Sequence, residues 1–368
     1  MFYRKITAFI LIAAVVLCCI STNAAGEITA KDIPETSAES AILICADNGR
    51  VLYEKAADKQ LAIASITKIM TGLIALEYAQ RNDKVITFES SMQAEGSSLY
   101  LKVGEKLKVT ELVKGLLCVS GNDAANALAI GIAGSTEAFA EIMNKKAARL
   151  GMTNTHFVTP SGLDDKEHYS SARDMALLCI YAMNNKSFAD IVSQKNLEVS
   201  YEYPENKKQQ CTNHNRLLSE YQGCIGIKTG YTSKAGRTLT SCAERDGIRL
   251  VAVTLNDRDD WNDHKKLFDF GFSQCTRVKA VSREQRFVLP IVGGKTDITA
   301  VMPENDALYT TVRTDENILS YKLYMPHFVY APLKKGEKTG ELRCYLDGKK
   351  IFSVPLIAAE TVEIQEER

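Results

Sequence analysis

The chain has 368 residues, of which 45% are apolar, and its 45 Lys and Arg residues balance 45 Asp and Glu residues. This length allows roughly two domains of ordinary size. The apolar fraction supports packed cores, which excludes a disordered or low-complexity protein. The zero net charge gives no electrostatic reason to expect a nucleic acid partner or adhesion to anionic lipid.

The first 25 residues have the pattern of an export signal. Arg4 and Lys5 form a positive start, residues 6–20 are almost wholly apolar, and residues 22–25 are small or polar, as cleavage requires. The apolar run is about five residues shorter than the ~20 that a membrane-spanning helix needs. We therefore expect a signal peptide over residues 1–25, an extracytoplasmic location (cell wall or periplasm-like space), and membrane contact at most through an uncleaved signal segment.

The predicted elements begin with a hairpin and continue as a series of helices. Two β-rich runs within residues 41–53 flank Asn48-Gly49, a strong hairpin-turn signal. Apolar residues then recur at helical spacing, with Gly or Ser at the ends of the periodic segments. The predicted helices cover residues 65–78, 110–118, 122–132, 136–150 and 171–184.

Strands follow these helices, with Asp246-Gly247 as a second tight turn. The predicted strands and the short helix after them cover residues 224–229, 237–244, 248–255 and 261–270. Strands at both ends with helices between them predict an α+β domain over residues 26–275, an antiparallel sheet covered by helices. Short alternating runs then predict a small all-β domain over residues 276–368, which has no catalytic motif and for which we expect a spacer or docking role.

Cysteines and histidines give no strong site signal. Eight of the ten cysteines follow the predicted signal peptide, scattered singly through apolar stretches without a CxxC pair. Disulfides are common in exported proteins, but this scatter favours buried free thiols. The five histidines show no paired-ligand spacing, so we expect no metal site and no cofactor.

The first chemical motif is Ser65-Ile66-Thr67-Lys68, at the predicted start of a helix. Residues three apart share a helix face, so the serine hydroxyl and the lysine amine can lie within hydrogen-bond reach. A serine there also gains the helix dipole and free backbone N–H groups. A lysine acts as a base only when burial or another cation lowers its pKa, and Lys228 is the candidate cation. The alternative is an N-cap serine beside a solvated lysine.

Two further motifs follow. Ser120-Gly121-Asn122 stands at the start of another predicted helix, and Lys-Thr-Gly occurs twice. The copy at Lys228-Thr229-Gly230 ends an apolar run and opens a hairpin, where a sheet can hold it rigidly. The copy at Lys338-Thr339-Gly340 lies in a polar stretch. We assign a function to the first copy and predict a loop for the second.

Together and in this order, the three motifs resemble those of the active-serine penicillin-recognising enzymes. The Ser-Gly-Asn form of the second motif is similar to that of the low-molecular-mass D-alanyl-D-alanine carboxypeptidases. Further matching stretches lie at residues 64–71, 119–125, 154–157, 161–163, 170–174 and 226–232. The resemblance covers residues 35–275 and implies a β-lactamase/transpeptidase-like fold; the all-β domain resembles the family's second domain by position and pattern only.

The resemblance implies a catalytic role for three residues. Ser65 is the nucleophile that is acylated by the penultimate D-alanine of a peptidoglycan stem pentapeptide, with loss of the terminal one. Lys68 takes the Ser65 proton, and Ser120 relays a proton to the leaving amine. Asn122 holds the peptide amide. The same serine is expected to be trapped by β-lactams.

The resemblance also implies a substrate-binding role for the strand that carries the third motif. Lys228 supplies charge to the proton network, and the hydroxyls of Thr229 and Thr232 bind the substrate carboxylate. Gly230 belongs to the same strand. The backbone N–H groups of Tyr231 and of the nucleophile form the oxyanion hole.

Two departures from the family pattern stand out. Some members hold the terminal carboxylate with an arginine near the helix after the sheet, and whether Arg258 serves here is open. Many members end in an amphipathic membrane-binding helix, whereas the corresponding segment here, residues 360–368, is short and acidic.

Other functions remain as alternatives. An endopeptidase that cuts peptide cross-links would use the same residues on a longer substrate. A β-lactamase is disfavoured because residues 150–200 lack a Glu-x-x-Leu-Asn-like segment for deacylation. A non-catalytic wall-binding protein belongs to a different class, and it predicts a damaged motif that the sequence does not have.

Overall fold

The computed structural model describes residues 33–312, 319–346 and 348–366. The predicted signal peptide lies outside the described residues. The described chain forms two compact units, one ending at Thr276 and the other beginning at Arg277. Within these ranges, no helix is both long and apolar enough to cross a bilayer.

The first unit is built on an antiparallel sheet of five strands among the described residues. In spatial order its strands are β2 (Val51–Lys55), β1 (Ser40–Cys45), β9 (Ile248–Leu255), β8 (Gly236–Arg245) and β7 (Cys224–Thr232). The predicted hairpin at Asn48-Gly49 is confirmed, with Gly49 in the left-handed conformation that its turn requires (φ 74°). Strand β7 lies at one edge of the sheet, so one side of the Lys-Thr-Gly segment is open to other groups.

Helices cover both faces of this sheet because its central strands are apolar on both sides. The helices are α1 (Lys68–Ala79), α2 (Val109–Cys118), α3 (Asn122–Ala133), α4 (Thr136–Leu150), α5 (Ala172–Met183), α6 (Lys186–Val192), α7 (Leu217–Glu220) and α8 (Asp260–Gln274). Ile42 and Ile44 of β1 face the core formed with α1 to α6, whereas Leu43 faces α8. Helix α1 is buried from Lys68 to Leu76, so its first turn is held rigidly at the centre of the unit.

The structure differs from the predicted elements at three places. The predicted helix at 65–78 begins instead as a 3-10 turn, Ala64–Thr67, which leads into α1. Helix α8 runs beyond its predicted end. Two small hairpins and the helices α6 and α7 were not predicted. The hairpins are β3 (Val85–Thr87) with β4 (Lys106–Lys108), and β5 (Asn196–Ser200) with β6 (Lys208–Thr212).

The second unit is all-β in its described residues, as predicted. Its six-stranded sheet has the spatial order β14 (Leu319–Tyr324), β16 (Lys338–Leu346), β17 (Lys349–Ala358), β12 (Ile298–Pro303), β11 (Phe287–Val292) and β15 (Val329–Tyr330), beside the pair β10 (Cys275–Val281) and β13 (Ala307–Val312). The loop predicted at Lys338-Thr339-Gly340 is wrong, because this segment begins β16 and the Thr339 hydroxyl donates to the carbonyl of Leu356. A polar sequence forms a strand here because β17 pairs with it.

Candidate active site

The nucleophile candidate Ser65 lies on the 3-10 turn that precedes α1, where it is half-buried. The chain enters this turn through Ala64 in a left-handed conformation (φ 49°). Gly162 packs against the turn so closely that a Cβ there would lie 2.0 Å from the Ala64 carbonyl oxygen. The turn is therefore held in place by its contact with Gly162 as well as by its own hydrogen bond from the Thr67 hydroxyl to the Ala64 carbonyl.

Lys68, the first residue of α1, is fully buried and makes three polar contacts. Its Nζ lies 2.8 Å from Ser65 Oγ, 2.6 Å from Asn122 Oδ1 and 2.6 Å from the Ser161 carbonyl oxygen. Burial lowers the pKa of Lys68 well below its ordinary value, the charge of Lys228 lowers it further, and Asp123 opposes the shift.

A neutral Lys68 amine has two N–H donors and one lone pair. The Asn122 and Ser161 oxygens can only accept, so they take the two N–H groups. The lone pair then faces the Ser65 hydroxyl, which is the remaining partner and can donate. In its neutral form, the Lys68 amine therefore faces the Ser65 proton with its lone pair and can act as a base.

Lys228 lies on β7, inside the unit, with 1% of its surface exposed. Its Nζ donates to the carbonyl of Thr229 at 2.9 Å, and its backbone is bonded to the Thr240 hydroxyl. Burial lowers the pKa of Lys228 to about 7, and Cys118 opposes the shift. Lys228 is thus divided between its charged and neutral forms near neutral pH.

Strand β7 approaches the nucleophile turn, which is the 3-10 turn Ala64–Thr67 that carries Ser65, at Gly230. A Cβ on this glycine would lie 2.4 Å from Thr238 Oγ1 and 2.9 Å from the backbone nitrogen of Ser65, so only glycine permits this approach. The Thr238 hydroxyl donates to the carbonyl of Ile63, which fixes the turn to the sheet. The neighbouring Tyr231 is 68% exposed at the open edge.

Comparison with known proteins decides the family. A family model described as D-alanyl-D-alanine carboxypeptidase matches residues 27–259, and one described as penicillin-binding protein 5, C-terminal domain, matches residues 278–364. The chain belongs to the D-alanyl-D-alanine carboxypeptidase family. The predicted resemblance and the predicted enzyme class, a serine-type carboxypeptidase, are confirmed.

Relatives align over most of the chain. It is 35% identical over 336 residues to the D-alanyl-D-alanine carboxypeptidase DacF of Bacillus subtilis, with 89% of this chain and 86% of the relative covered. It is 36% identical over 351 residues to DacC of Escherichia coli, with 90% and 86% covered. The solved structure of penicillin binding protein 5 from Haemophilus influenzae matches with a TM-score of 0.66 at 28% identity, covering 92% of this chain and 100% of that chain. The predicted fold class is therefore confirmed.

The remaining predicted site residues of this carboxypeptidase lie at the start of α3 and along β7. Ser120 is buried just before α3 in a left-handed conformation (φ 62°), which is unusual for a residue other than glycine. Asn122 begins α3, and its Nδ2 donates to the carbonyl of Glu95 at 2.6 Å. The Thr232 hydroxyl donates to Asp164 at 2.8 Å, so it already has a carboxylate partner.

Two groups that the sequence analysis missed help to build the site. One is the Ser161 carbonyl oxygen, since a backbone acceptor has no sequence signature. The other is Asp123, which is 3% exposed and accepts from the Ser98 hydroxyl and the backbone N–H groups of Leu99, Leu101 and Ala124. An aspartate directly after the Ser-Gly-Asn motif, at the start of a largely apolar helix, was the available signal for it.

The structure shows which arginines near the helix after the sheet are free to hold a substrate carboxylate. Arg237 forms an ion pair with Asp260, at 2.7 Å, and is therefore occupied. Arg258 is exposed and has no hydrogen-bond or ion-pair partner among the described residues. The backbone nitrogen of the preceding Asp257 donates to the Arg237 carbonyl, and Arg237 pairs with Tyr231 across the sheet. Arg258 therefore follows β9 at the end of the sheet where β7 carries Tyr231.

No cluster of metal-ligating side chains is found in the described parts of the chain.

Proposed function

We propose that this carboxypeptidase removes the terminal D-alanine from peptidoglycan stem pentapeptides, outside the cytoplasm, through an acyl-enzyme on Ser65. The observation that carries the proposal is the 2.8 Å contact between Ser65 Oγ and the buried Lys68 amine, whose pKa is lowered well below its ordinary value. This pair supplies a nucleophile and a base without a histidine or a metal ion.

In the acylation step, Lys68 Nζ takes the proton of Ser65 as Oγ attacks the carbonyl carbon of the penultimate D-alanine. The backbone N–H groups of Ser65 and Tyr231 are assigned to the oxyanion, because β7 approaches the turn at Gly230. Each such donor contributes about 2.7–4 kcal/mol to transition-state stabilisation. The C–N bond then breaks, and Ser120 relays the proton to the leaving amine.

In the deacylation step, water attacks the ester carbon while Lys68 accepts its proton, and the ester C–O bond breaks. The proton returns to Ser65 Oγ, and the shortened peptide leaves as a carboxylic acid that loses its proton to solvent and becomes a carboxylate. The positive charge on Lys228 favours the neutral form of Lys68 at the start of each step. A β-lactam would acylate Ser65 in the same way and act as a covalent inhibitor.

Substrate binding is assigned to β7 and to Asn122. The hydroxyls of Thr229 and Thr232 are assigned to the terminal carboxylate, which would then replace Asp164 as the partner of Thr232. The amide nitrogen of Asn122 is assigned to the peptide carbonyl, in place of its contact with Glu95. Arg258, exposed after β9, is the available cation for the same carboxylate.

Mass spectrometry of monomeric and cross-linked pentapeptide muropeptides tests the proposal. The wild-type protein should remove one alanine from the monomer, Ser65→Ala should not, and the exposed-site control Ser219→Ala should behave as wild type. Cleavage of the cross-linked dimer instead would assign an endopeptidase. If neither substrate gives a product, the non-catalytic wall-binding alternative replaces the proposal.

A further inference from the structure

A buried histidine joins two parts of the site that are distant in sequence. His168 is 3% exposed, and its Nδ1 accepts from the backbone N–H groups of Val158 and Thr159 at 3.0 Å and 3.2 Å. Its Nε2 lies 2.8 Å from Thr67 Oγ1. Because Nδ1 accepts, the proton of the neutral ring is on Nε2, which therefore donates to Thr67.

On one side, this hydrogen bond leads to the nucleophile turn. The Thr67 hydroxyl is fully buried, accepts from His168 and donates to the carbonyl oxygen of Ala64 at 2.8 Å. Ala64 is the left-handed residue directly before Ser65. The imidazole is thus connected to the backbone of the turn through a single hydroxyl group.

On the other side, the histidine fixes the segment 158–162. Within this segment the Pro160 carbonyl accepts from the Thr71 hydroxyl at 2.6 Å, and the Ser161 carbonyl accepts from Lys68 Nζ at 2.6 Å. The segment therefore provides one of the two acceptors that direct the Lys68 lone pair toward the nucleophile. Lys68 has no exposed surface, and this segment is in direct contact with its amine.

We propose that His168 is a positioning residue of this enzyme, which holds the segment 158–162 against the nucleophile turn and thereby keeps Lys68 dry and directed at Ser65. The inference rests on the proposed function. His168 itself does not contact the reacting atoms.

Because the His168 ring is buried, we expect it to be neutral near neutral pH. Burial lowers the pKa of His168 to about 4; Asp164 and Asp165 oppose the shift, and His156 and Lys234 add to it. Protonation of Nδ1 would remove the acceptor for both backbone N–H groups. Around the Lys68 amine, the charged neighbours are Lys228 and Asp123.

The test compares His168→Leu, which removes both hydrogen-bonding nitrogens, with His168→Gln, which retains one acceptor and one donor. The control is His156→Gln, because His156 is exposed, its Nδ1 lies against the Glu167 carbonyl and its ring packs beside Tyr169. We expect His168→Leu to lower kcat/KM for a pentapeptide about 10- to 100-fold, as misplaced catalytic groups do. His168→Gln should keep a larger share of activity, and the control should match wild type.

The pH profile separates positioning from a merely structural role. If water reaches Lys68 in His168→Leu, the desolvation that lowers the Lys68 pKa is relieved, so the acidic limb of kcat/KM should move to higher pH. Thr67→Val breaks the same connection from the other side. In the double variant its effect should add little to that of His168→Leu.

An unmoved acidic limb in folded His168→Leu would overturn the inference, whether or not kcat/KM falls. If that variant does not fold, His168→Gln and Thr67→Val decide in its place, and an unmoved limb in both would overturn it equally. A wild-type protein that releases no alanine would reject the proposed function itself, whereas an active wild type with unaffected variants rejects only the role of His168.

Discussion

Replacing Lys228 by methionine should make the protein more stable and less active. Burial lowers the pKa of Lys228 from 10.5 to about 7. In the unfolded chain the lysine keeps its ordinary pKa, so between pH 7 and 10.5 only the unfolded state binds the proton. The stability of the wild type therefore decreases as the pH falls through this window, and it stays reduced below pH 7.

The magnitude follows from the pKa values. A change from 10.5 to about 7 corresponds to about 5 kcal/mol of stability lost at and below pH 7, at ~1.4 kcal/mol for each pH unit. Methionine removes this loss but leaves the Thr229 carbonyl without the Lys228 donor at 2.9 Å, which costs about 1–3 kcal/mol. We expect Lys228→Met to raise the free energy of unfolding by about 2–4 kcal/mol at pH 7.

Urea denaturation of wild type and Lys228→Met from pH 6 to 9 measures this difference. The stability gap should be constant below pH 7 and should close by ~1.4 kcal/mol per pH unit above it. Lys166→Met, at an exposed lysine, should change the free energy of unfolding by less than about 0.5 kcal/mol. Peptide turnover of Lys228→Met should fall at least about 10-fold. No gap at pH 7, or a gap independent of pH, would refute the reasoning.

Three further substitutions test the geometry. Gly230→Ala should slow acylation by a fluorescent penicillin about 10²- to 10³-fold, because its Cβ would lie 2.9 Å from the Ser65 nitrogen; a rate within threefold of wild type would contradict the close approach. Asp123→Asn should lower the free energy of unfolding by about 2–4 kcal/mol in a urea titration, since an amide cannot accept all four hydrogen bonds; an unchanged value would be inconsistent with that role. Thr232→Val should raise KM for the pentapeptide several-fold with little change in kcat, whereas equal KM values would remove Thr232 from carboxylate binding.

Regular elements were predictable where local pattern and tertiary environment agree. The helices α2 to α5 lie within two residues of their predicted ends, because each has a broad apolar face and α3 to α5 also have glycine or serine at a boundary. The predicted end of α8 was four residues short of Gln274. Gly271 reads as a helix breaker, but a Cβ there would lie 2.7 Å from both Leu43 and Leu250, so glycine is needed where this helix crosses the sheet.

The small hairpins were missed for the opposite reason. β5 and β6 have the sequences NLEVS and KQQCT, with few apolar residues. Their pairing is stabilised by neighbours that no local pattern reveals, such as the Glu111 carboxylate that accepts from the Ser200 backbone. Tertiary contacts decided these elements.

For the site, the sequence by itself determined the reactive residue types and the pairs that are close along the chain. Ser65 and Lys68 meet because a spacing of three residues closes one helical turn. Tertiary structure alone decided that Lys68 is buried, that its amine contacts the Ser161 carbonyl, and that Gly230 brings β7 against Ser65. The physical reason is that burial and close approach depend on segments up to about 165 residues apart, whose positions are set only when the sheet and the helices pack together.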